Sequence, residues 1–199
     1  MAALAGLGLT DIELELTAPE LPALDGSSLV ALEWLQSLGS EPCGSLEVEG
    51  PFTRIFRQDG LAKVAVAKGE GHWRYTFDSG ERFPFHQVAE CDNISAEFAS
   101  EIAPARTFGW ESELEMIRQA GLAKGLDESS AVLLSDSGPI NPQRFENEPA
   151  RHKLLDAVGD LYLAGAPIHL LSVSAERSGH KLHVEIAKQL CDAVKIHRL

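Results

Sequence analysis

The sequence predicts an α+β fold in which strands and helices form separate layers. Segments with the two-residue period of strands and segments with the helical period follow one another in mixed order, and two regions have the pattern of hairpins. A doubly wound parallel sheet would need a regular alternation of strand and helix, so we favour α+β layers. The chain has 199 residues, 44% of them apolar, which suffices for one large or two small domains with a core.

Charge and cysteine content exclude several classes of protein. The formal net charge of −13 argues against nucleic acid as a partner and disfavours docking on an anionic membrane surface. No apolar run approaches the roughly 20 residues that cross a bilayer, and the apolar start lacks the basic residues of a signal peptide. Cys43, Cys91 and Cys191 are widely spaced, which indicates free thiols. We therefore expect a cytoplasmic protein.

Up to residue 44 the sequence predicts two helices, a strand and a linker. Residues 2–8 have the pattern of a helix end that closes at glycines, and Asp11–Thr17 alternates strictly, as a half-exposed strand does. A loop with two prolines follows, and Ser28 caps a helix that extends to about Leu38. Gly39–Gly44 is the best linker candidate.

The rest of the chain is predicted to hold a sheet with helices. The strands are expected at Ser45–Glu49, Phe52–Arg57, Leu61–Ala67, His72–Phe77, Ala131–Leu134 and Ile168–Ala175. The helices are expected from a cap at Ser95, at Glu111–Gln119, at Glu148–Ala164 and from Ser178-Gly179-His180 to about Val194, with turns at Thr107–Trp110 and Asp136–Pro142. Trp73, Tyr75 and Phe77 alternate along one strand, and we favour a sheet core over an aromatic binding surface for them.

The segment Arg151–Asp160 carries the strongest chemical signal. His152 and Asp156 are four residues apart, so a helix presents both on one face, and Asp160 lies one turn further along. An imidazole and a carboxylate in this arrangement are the start of a metal site. Two ligands do not hold a catalytic zinc ion, and a third must come from elsewhere. On spacing alone, a hydrogen bond on a helix surface is the commoner meaning of this pattern.

A histidine at a predicted strand-to-helix turn could complete an acid–base pair. If Asp160 accepts a hydrogen bond from His180, the imidazolium is favoured, and such a cation could stabilise an oxyanion or protonate a leaving amine. Lys153 could orient a negatively charged group of a substrate. The polar run Arg144–Glu148 has the composition of a surface segment. Structural roles are expected for the histidines without an acidic or histidine neighbour at ligand spacing, namely His72, His86, His169, His183 and His197.

Five segments, in order along the chain, resemble the motifs of a known enzyme family. The longest, Phe145–Tyr162, is similar to the second-domain metal helix of UDP-3-O-acyl-N-acetylglucosamine deacetylases. These zinc enzymes remove the acetyl group in the committed step of lipid A synthesis. The other segments are Ala2–Leu9, Pro19–Ser27, Ala105–Trp110 with Gly121–Gly125, and Ser178–His180. The resemblance covers essentially the whole chain.

The resemblance implies a role for each residue that matches a family motif. The implied substrate is a UDP-linked acyl-glucosamine, in the cytoplasm of a Gram-negative bacterium. The matches are two of the three zinc ligands at His152 and Asp156, the catalytic histidine at His180, the acid that orients it at Asp160, a hydroxyl near the zinc-bound water at Thr107, and substrate contacts at Lys153 and Phe108.

The resemblance also implies a two-domain architecture. The family fold is a sandwich of two similar α+β domains, packed helix layer against helix layer with the active site between them. Residues 1–43 match the remainder of the first domain, which would be incomplete, and residues 44–199 match the second domain with the metal helix and an insert that lines the acyl passage.

The main departure from the family pattern lies at the start of the chain. In the family, a Glu-His pair that supplies the general base and the third zinc ligand stands just before the position of Met1. Three explanations are open: a longer gene product, which we favour, a natural truncation, and a split protein whose partner chain supplies the pair. As given, the chain is expected to bind zinc poorly, and the alternative function is a non-catalytic remnant or partner subunit that binds a UDP-sugar lipid or a protein. In a smaller departure, the asparagines that usually follow the catalytic histidine are absent after His180.

Overall fold

A five-stranded mixed sheet packed against helices forms the main body of the structure. The computed structural model describes residues 1–18, 21–44, 46–49, 54–119 and 129–198. Its α-helices are α1 (Ala2–Leu7), α2 (Leu29–Leu38), α3 (Ile94–Glu97), α4 (Leu114–Gln119), α5 (Glu148–Leu161) and α6 (His180–Ala193). Its strands are β1 (Leu46–Glu49), β2 (Ile55–Asp59), β3 (Ala62–Lys68), β4 (Trp73–Asp78), β5 (His86–Cys91), β6 (Thr107–Trp110), β7 (Ala131–Ser135), β8 (Gly138–Pro139), β9 (Leu171–Glu176) and β10 (Lys195–Arg198). The predicted α+β class is confirmed.

The strand order of the main sheet places the start of α6 beside its centre. The order is β2-β3-β9-β4-β5, and the central strand β9 pairs parallel with β4 but antiparallel with β3. The chain leaves β9 at Glu176, and the backbone N–H of Arg177 donates to the carbonyl of Thr76 at 3.1 Å. This pairing carries the chain directly into α6, whose first residue is His180.

The inner face of β4 is the centre of the hydrophobic core. Trp73, Tyr75 and Phe77 are 0%, 1% and 7% exposed, and they alternate with partly exposed residues along the strand. The indole N–H of Trp73 donates to the carbonyl of Ile168 at 3.0 Å, and the hydroxyl of Tyr75 donates to the carbonyl of Ser178. The prediction that these aromatic residues form a sheet core is confirmed.

Helix α5 crosses the sheet and is the element on which most of the predicted site residues lie. Its buried side includes Leu154, Val158 and Leu161, each fully buried against the core. A 3₁₀ turn at Tyr162–Ala164 continues it to Gly165, whose φ of 74° is the left-handed conformation typical of a helix C-terminus. The burial of one whole side fixes which side chains face outward, because 3.6 residues complete each turn.

Helix α1 packs closely on α5 and ends where the sequence predicts. A Cβ atom at Gly159 would lie 3.0 Å from the backbone nitrogen of Ala2, so a larger residue at this position would push the two helices apart by a few tenths of an ångström. Gly8 adopts a φ of 65°, and the N–H of Leu9 donates to the carbonyl of Leu4 at 3.0 Å, which closes the helix.

The strand predicted at Asp11–Thr17 is wrong. The structure gives residues 11–16 no regular secondary structure, and the apolar side chains of Ile12, Leu14 and Leu16 are 43–48% exposed. An alternating pattern becomes a strand only where a neighbouring strand supplies hydrogen bonds. Among the described residues, no strand pairs with this segment.

The turn predicted at Thr107–Trp110 is also wrong, because these residues form β6. The strand pairs in parallel with β7, and the backbone N–H of Thr107 donates to the carbonyl of Gly26 at 2.7 Å. Gly26 has a φ of 73°, and a Cβ atom there would lie 1.7 Å from the carbonyl oxygen of Ser130. The glycine at position 26 therefore allows this loop to contact both Thr107 at the start of β6 and Ser130 just before β7.

Smaller differences concern strand and cap positions. Strands β5, β8 and β10 were not expected. The helix predicted from Ser95 begins at Ile94 and is capped by Asn93, whose side chain accepts from the N–H of Ala96 at 3.2 Å. The Gly121–Gly125 segment, Phe52 and part of the Pro19–Ser27 loop lie outside the described residues. The other predicted helices and strands are present, with ends shifted by up to three residues.

The cysteines agree with the expectation of free thiols. All three cysteines are free, with Cys91 buried and Cys43 and Cys191 exposed. In the described part of the chain, no helix has the length and apolar character needed to cross a membrane.

Candidate active site

His152 and Asp156 lie side by side on α5, as their spacing predicts. The Nε2 atom of His152 is 3.6 Å from Oδ1 of Asp156, and the two side chains are only 12% and 11% exposed. The pair thus offers one imidazole nitrogen and one carboxylate oxygen at the edge of a largely buried surface. Both atom types are ligands of divalent transition metals.

The backbone carbonyl of Ala105 fixes the tautomer of His152. The Nδ1 atom of His152 lies 3.1 Å from this oxygen, and because a carbonyl can only accept, Nδ1 carries the proton. The Nε2 atom is then left with a free lone pair beside Asp156. Burial lowers the pKa of His152 below its usual value, against the opposing effect of Asp156, so the neutral ring is favoured. A neutral imidazole held in this way is the form that binds a metal.

A buried ion pair holds the backbone directly after this carbonyl. Glu148, at the first turn of α5, is fully buried and accepts from both the backbone N–H and the Nε–H of Arg106 at 3.0 Å. It also accepts from the backbone N–H of Arg144 at 2.6 Å. The surface role expected for the Arg144–Glu148 run is therefore wrong at Glu148, since the carboxylate faces inward and joins α5 to the start of β6.

His180 and Asp160 form the hydrogen-bonded pair that the sequence suggested. The Nδ1 atom of His180, the first residue of α6, is 2.8 Å from Oδ2 of Asp160. Burial alone would raise the pKa of Asp160, but hydrogen bonds from His180 and His183 outweigh it and lower the pKa to about 2. The hydrogen bond to Asp160 in turn raises the pKa of His180 above its usual value. This side chain is 69% exposed, so its outer nitrogen is open to solvent.

Asp156 connects the two pairs and also receives a cation. Its Oδ2 atom lies 4.0 Å from Nε2 of His180 and 2.9 Å from Nζ of Lys153. The Lys153 ammonium lies 5.6 Å from the centre of the Phe108 ring. Helices α5 and α6 therefore bring an imidazole, two carboxylates, a second imidazole and an ammonium group to one place.

Strand β6 supplies an aromatic wall. The Phe108 ring meets the His152 ring edge to face at 6.2 Å between centroids, and it contacts Phe77 at 5.3 Å and Trp110 at 5.7 Å in the same manner. Thr107 is half-buried one residue earlier on the strand. Of the seven residues singled out by the resemblance, six belong to one continuous series of side-chain contacts, whereas Thr107 is connected to them through the β6 backbone.

The sequence prediction missed His183. The side chain is fully buried, its Nδ1 atom is 2.9 Å from Oδ2 of Asp160, and its Nε2 atom is 2.8 Å from Oγ of Ser178. The purely structural role expected for His183 overlooks this contact with Asp160. Its position three residues after His180 on the same helix was the available signal, because such residues share a face.

A second group with metal-ligating atoms lies elsewhere in the sheet. His72, Glu90 and Asp92 have ligand atoms within 4.8 Å of one another. His72 precedes β4 and Asp92 follows β5, so the group is at the opposite end of β4 from Asp78 and Arg177. His72 has no acidic neighbour at ligand spacing in the sequence, but strand pairing brings Glu90 and Asp92 next to it in the structure.

Comparison with known proteins identifies the family. The family model described as "LpxC: UDP-3-O-acyl N-acetylglycosamine deacetylase" matches residues 1–192. The chain belongs to this deacetylase family. The predicted resemblance is thereby confirmed.

Curated members of the deacetylase family match nearly all of the chain. Three proteins named UDP-3-O-acyl-N-acetylglucosamine deacetylase, from Thermosynechococcus vestitus, Nostoc sp. and Geobacter sp., are 35%, 34% and 35% identical to it, and each match covers 96% of this chain. The matches cover 67%, 70% and 63% of the respective relatives. The chain thus spans about two thirds of the length of these deacetylases, and the matched part contains α5, β6 and α6.

Proposed function

We propose that this chain takes part in the hydrolytic removal of the acetyl group from a UDP-3-O-acyl-N-acetylglucosamine in lipid A biosynthesis. In this proposal His152 and Asp156 hold a zinc ion, and His180, oriented by Asp160, is the cation and proton donor. The observation that carries it is the position of the two pairs, which face each other across Asp156 on α5 and α6. We assign the reaction to the cytoplasm, which the free thiols favour.

The donor atoms suit a zinc ion. His152 offers an unprotonated Nε2 whose opposite ring nitrogen is held by a carbonyl, and Asp156 offers Oδ1 at 3.6 Å from it. Such a hydrogen bond on the far side of the ring is a regular feature of histidines that bind zinc. A bound zinc ion would polarise the amide carbonyl and make water more acidic.

In this proposal His180 supplies a positive charge near the amide oxygen and a proton for the leaving amine. Asp160 holds the ring through Nδ1, so Nε2 points away from Asp160 and lies on the side of Asp156. When water adds to the amide carbon and releases a proton to the solvent, a protonated ring in this orientation stabilises negative charge on the amide oxygen. The ring then gives its Nε2 proton to the amine as the C–N bond breaks. The ionised Asp160 stabilises the positive ring until this proton is transferred.

The remaining residues bind and orient the substrate. Lys153 lies between Asp156 and the Phe108 ring, where its ammonium would meet a negatively charged group. The aromatic wall of Phe108, Phe77 and Trp110 offers an apolar surface to an acyl chain and excludes water from the metal side. In this proposal the hydroxyl of Thr107 contacts the same oxygen as His180.

A second candidate function is binding of the UDP-sugar lipid without turnover. Within the described residues, α5 contributes two close donors at this site, whereas catalytic zinc sites have three protein ligands. A chain with two ligands would hold zinc weakly and bind substrate through Lys153 and the aromatic wall.

Acetate release from the UDP-acyl substrate at saturating zinc distinguishes the two functions. The first function predicts acetate release, and with it that His180→Gln lowers kcat about 10²–10⁴-fold while zinc content stays unchanged. Lys188→Ala, an exposed change on the same helix, serves as the control. Substrate binding without acetate release would support the second candidate, and loss of zinc from His180→Gln would contradict the role given to His180.

A further inference from the structure

A buried histidine lies behind the His180–Asp160 pair. His183 and His180 are three residues apart at the start of α6, and the Nδ1 atoms of both rings contact the same oxygen, Oδ2 of Asp160, at 2.9 Å and 2.8 Å. His183 is fully buried, whereas the His180 side chain is 69% exposed. One carboxylate oxygen therefore joins an outer, exposed ring to an inner, buried one.

The direction of these hydrogen bonds follows from the charge of Asp160. An ionised carboxylate can only accept, so Nδ1 of each ring carries a proton and donates it to Oδ2. The Nε2 atom of His183 lies 2.8 Å from Oγ of Ser178, and a hydroxyl can either donate to or accept from it. His183 is thus satisfied at both nitrogens.

The far end of this chain of hydrogen bonds is anchored in the sheet. Ser178 is 5% exposed, and its carbonyl accepts from the hydroxyl of Tyr75 on β4. Tyr75 is itself buried in the core. Tyr75, Ser178, His183 and Asp160 form a continuous path from the sheet centre to the exposed ring of His180.

We propose that His183 is a positioning residue that fixes the Asp160 carboxylate and thereby the orientation of the His180 ring. Among the described residues, the two rings are the side-chain hydrogen-bond donors to Asp160, so without the inner one the exposed ring would be left as donor and the carboxylate could rotate. The proposal rests on the proposed function in giving His180 its role as proton donor. The family resemblance does not provide this residue, because asparagines usually follow the catalytic histidine in the family and none follows His180 here.

Two amide substitutions separate the two contacts of His183. Asparagine carries its N–H₂ group near the position of histidine Nδ1, which faces Asp160, and glutamine carries it near the position of Nε2, which faces Ser178. His183→Asn should keep the donor to Asp160, and His183→Gln should lose it. Ile186→Val, a conservative change at a fully buried residue one turn along the same helix, controls for loosened packing.

The test is NMR of the imidazole nitrogens and their protons in the full chain. The slowly exchanging Nδ1 proton of His180 is expected in the unchanged chain, in His183→Asn and in Ile186→Val, and it is expected to be lost in His183→Gln. Retention of this signal in His183→Gln, or its equal loss in all three variants, would overturn the proposal.

Turnover gives an independent second readout. His183→Gln should lower kcat about 10–100-fold with little change in KM, as expected when a partner that orients a functional side chain is removed, and His183→Asn should restore most of it. A chain that shows no turnover in any form would remove the proposed function but leave the NMR result decisive for His183. Equal kcat for the two amide variants would contradict the positioning role.

Discussion

Two groups of histidine and carboxylate side chains differ in how the protein holds them. His152 and Asp156 lie on α5 with side chains 12% and 11% exposed, and a backbone carbonyl fixes the tautomer of the ring. His72, Glu90 and Asp92 lie at the ends of two paired strands with side chains 45%, 40% and 94% exposed. The first group has two ligand atoms and the second has three, yet the first resembles a functional site more closely.

The state of the histidine explains this difference. The Nε2 atom of His72 lies 2.8 Å from Glu90 and is itself the hydrogen-bonding atom, so a metal would have to displace that bond. The Nε2 atom of His152 is free because Nδ1 takes the hydrogen bond. Charge does not separate the groups, since Arg74 lies beside Glu90 and Lys153 beside Asp156, both within 3 Å. Proximity of ligand atoms is therefore a weaker criterion than tautomer and burial.

The largest predicted effect concerns the buried ion pair beneath the α5 site. Glu148→Ala should lower the free energy of unfolding by about 3–5 kcal/mol, because it leaves Arg106 buried without its partner. Glu90→Ala, which removes an exposed partner of Arg74 and His72, should cost about 0–1 kcal/mol. Urea denaturation of both variants measures the difference, and equal losses would contradict the contrast drawn between the two groups.

An intermediate effect concerns acid stability. The pKa of Asp160 is held at about 2, below its ordinary value of 3.8, so its ionised form stabilises the fold above pH 4. This stabilisation is lost as pH falls from about 4 to 2, and we expect it to be about 1–2 kcal/mol because the site is partly open to solvent.

Asp160→Asn is the variant that isolates this contribution. Between pH 4 and pH 2 its free energy of unfolding should fall less steeply than that of the unchanged chain, by the same 1–2 kcal/mol. Asp92→Asn, at a side chain that is 94% exposed, should leave the slope unchanged. Parallel curves for the unchanged chain and Asp160→Asn would show that the Asp160 hydrogen bonds do not favour the folded state.

The smallest predicted effect concerns whether the Cys91 thiol could act as a ligand together with His72, Glu90 and Asp92. Cys91 lies between Glu90 and Asp92 in sequence, but it faces the core, and burial raises its pKa to about 12. Iodoacetamide at pH 8 should therefore label Cys43 and Cys191 in the native chain and Cys91 only after unfolding. Mass spectrometry of the peptides reads the result, and rapid native labelling of Cys91 would mean that the strand end opens.

The parts of the site that depend on a single helix could be predicted from the sequence. The four-residue spacing of His152, Asp156 and Asp160 fixes their common face as soon as α5 forms, and the helix itself is evident from its apolar pattern and terminal glycine. His180 could be placed because it opens a helix after a strand. These inferences need only local geometry.

The parts that depend on contacts between distant segments could not be predicted. The carbonyl of Ala105, the inward side of Glu148 and the link from His183 to Asp160 arise only when α5, β6 and α6 pack together. The strand predicted at Asp11–Thr17 failed for the same reason, because alternation does not supply the neighbouring strand that a ladder requires. The turn predicted at Thr107–Trp110 was wrong for the opposite reason. The segment is a strand because it pairs with β7, and the local pattern does not reveal this partner.

The most direct test of the account is a zinc titration of three proteins: the unchanged chain, His152→Ala and His72→Ala. Competition with a zinc-binding dye gives the affinity in each case. The account predicts that His152→Ala lowers the zinc affinity at least tenfold and that His72→Ala leaves it unchanged. Zinc binding that survives His152→Ala but is lost in His72→Ala would contradict it, because the exposed group on the strands would then be the metal site.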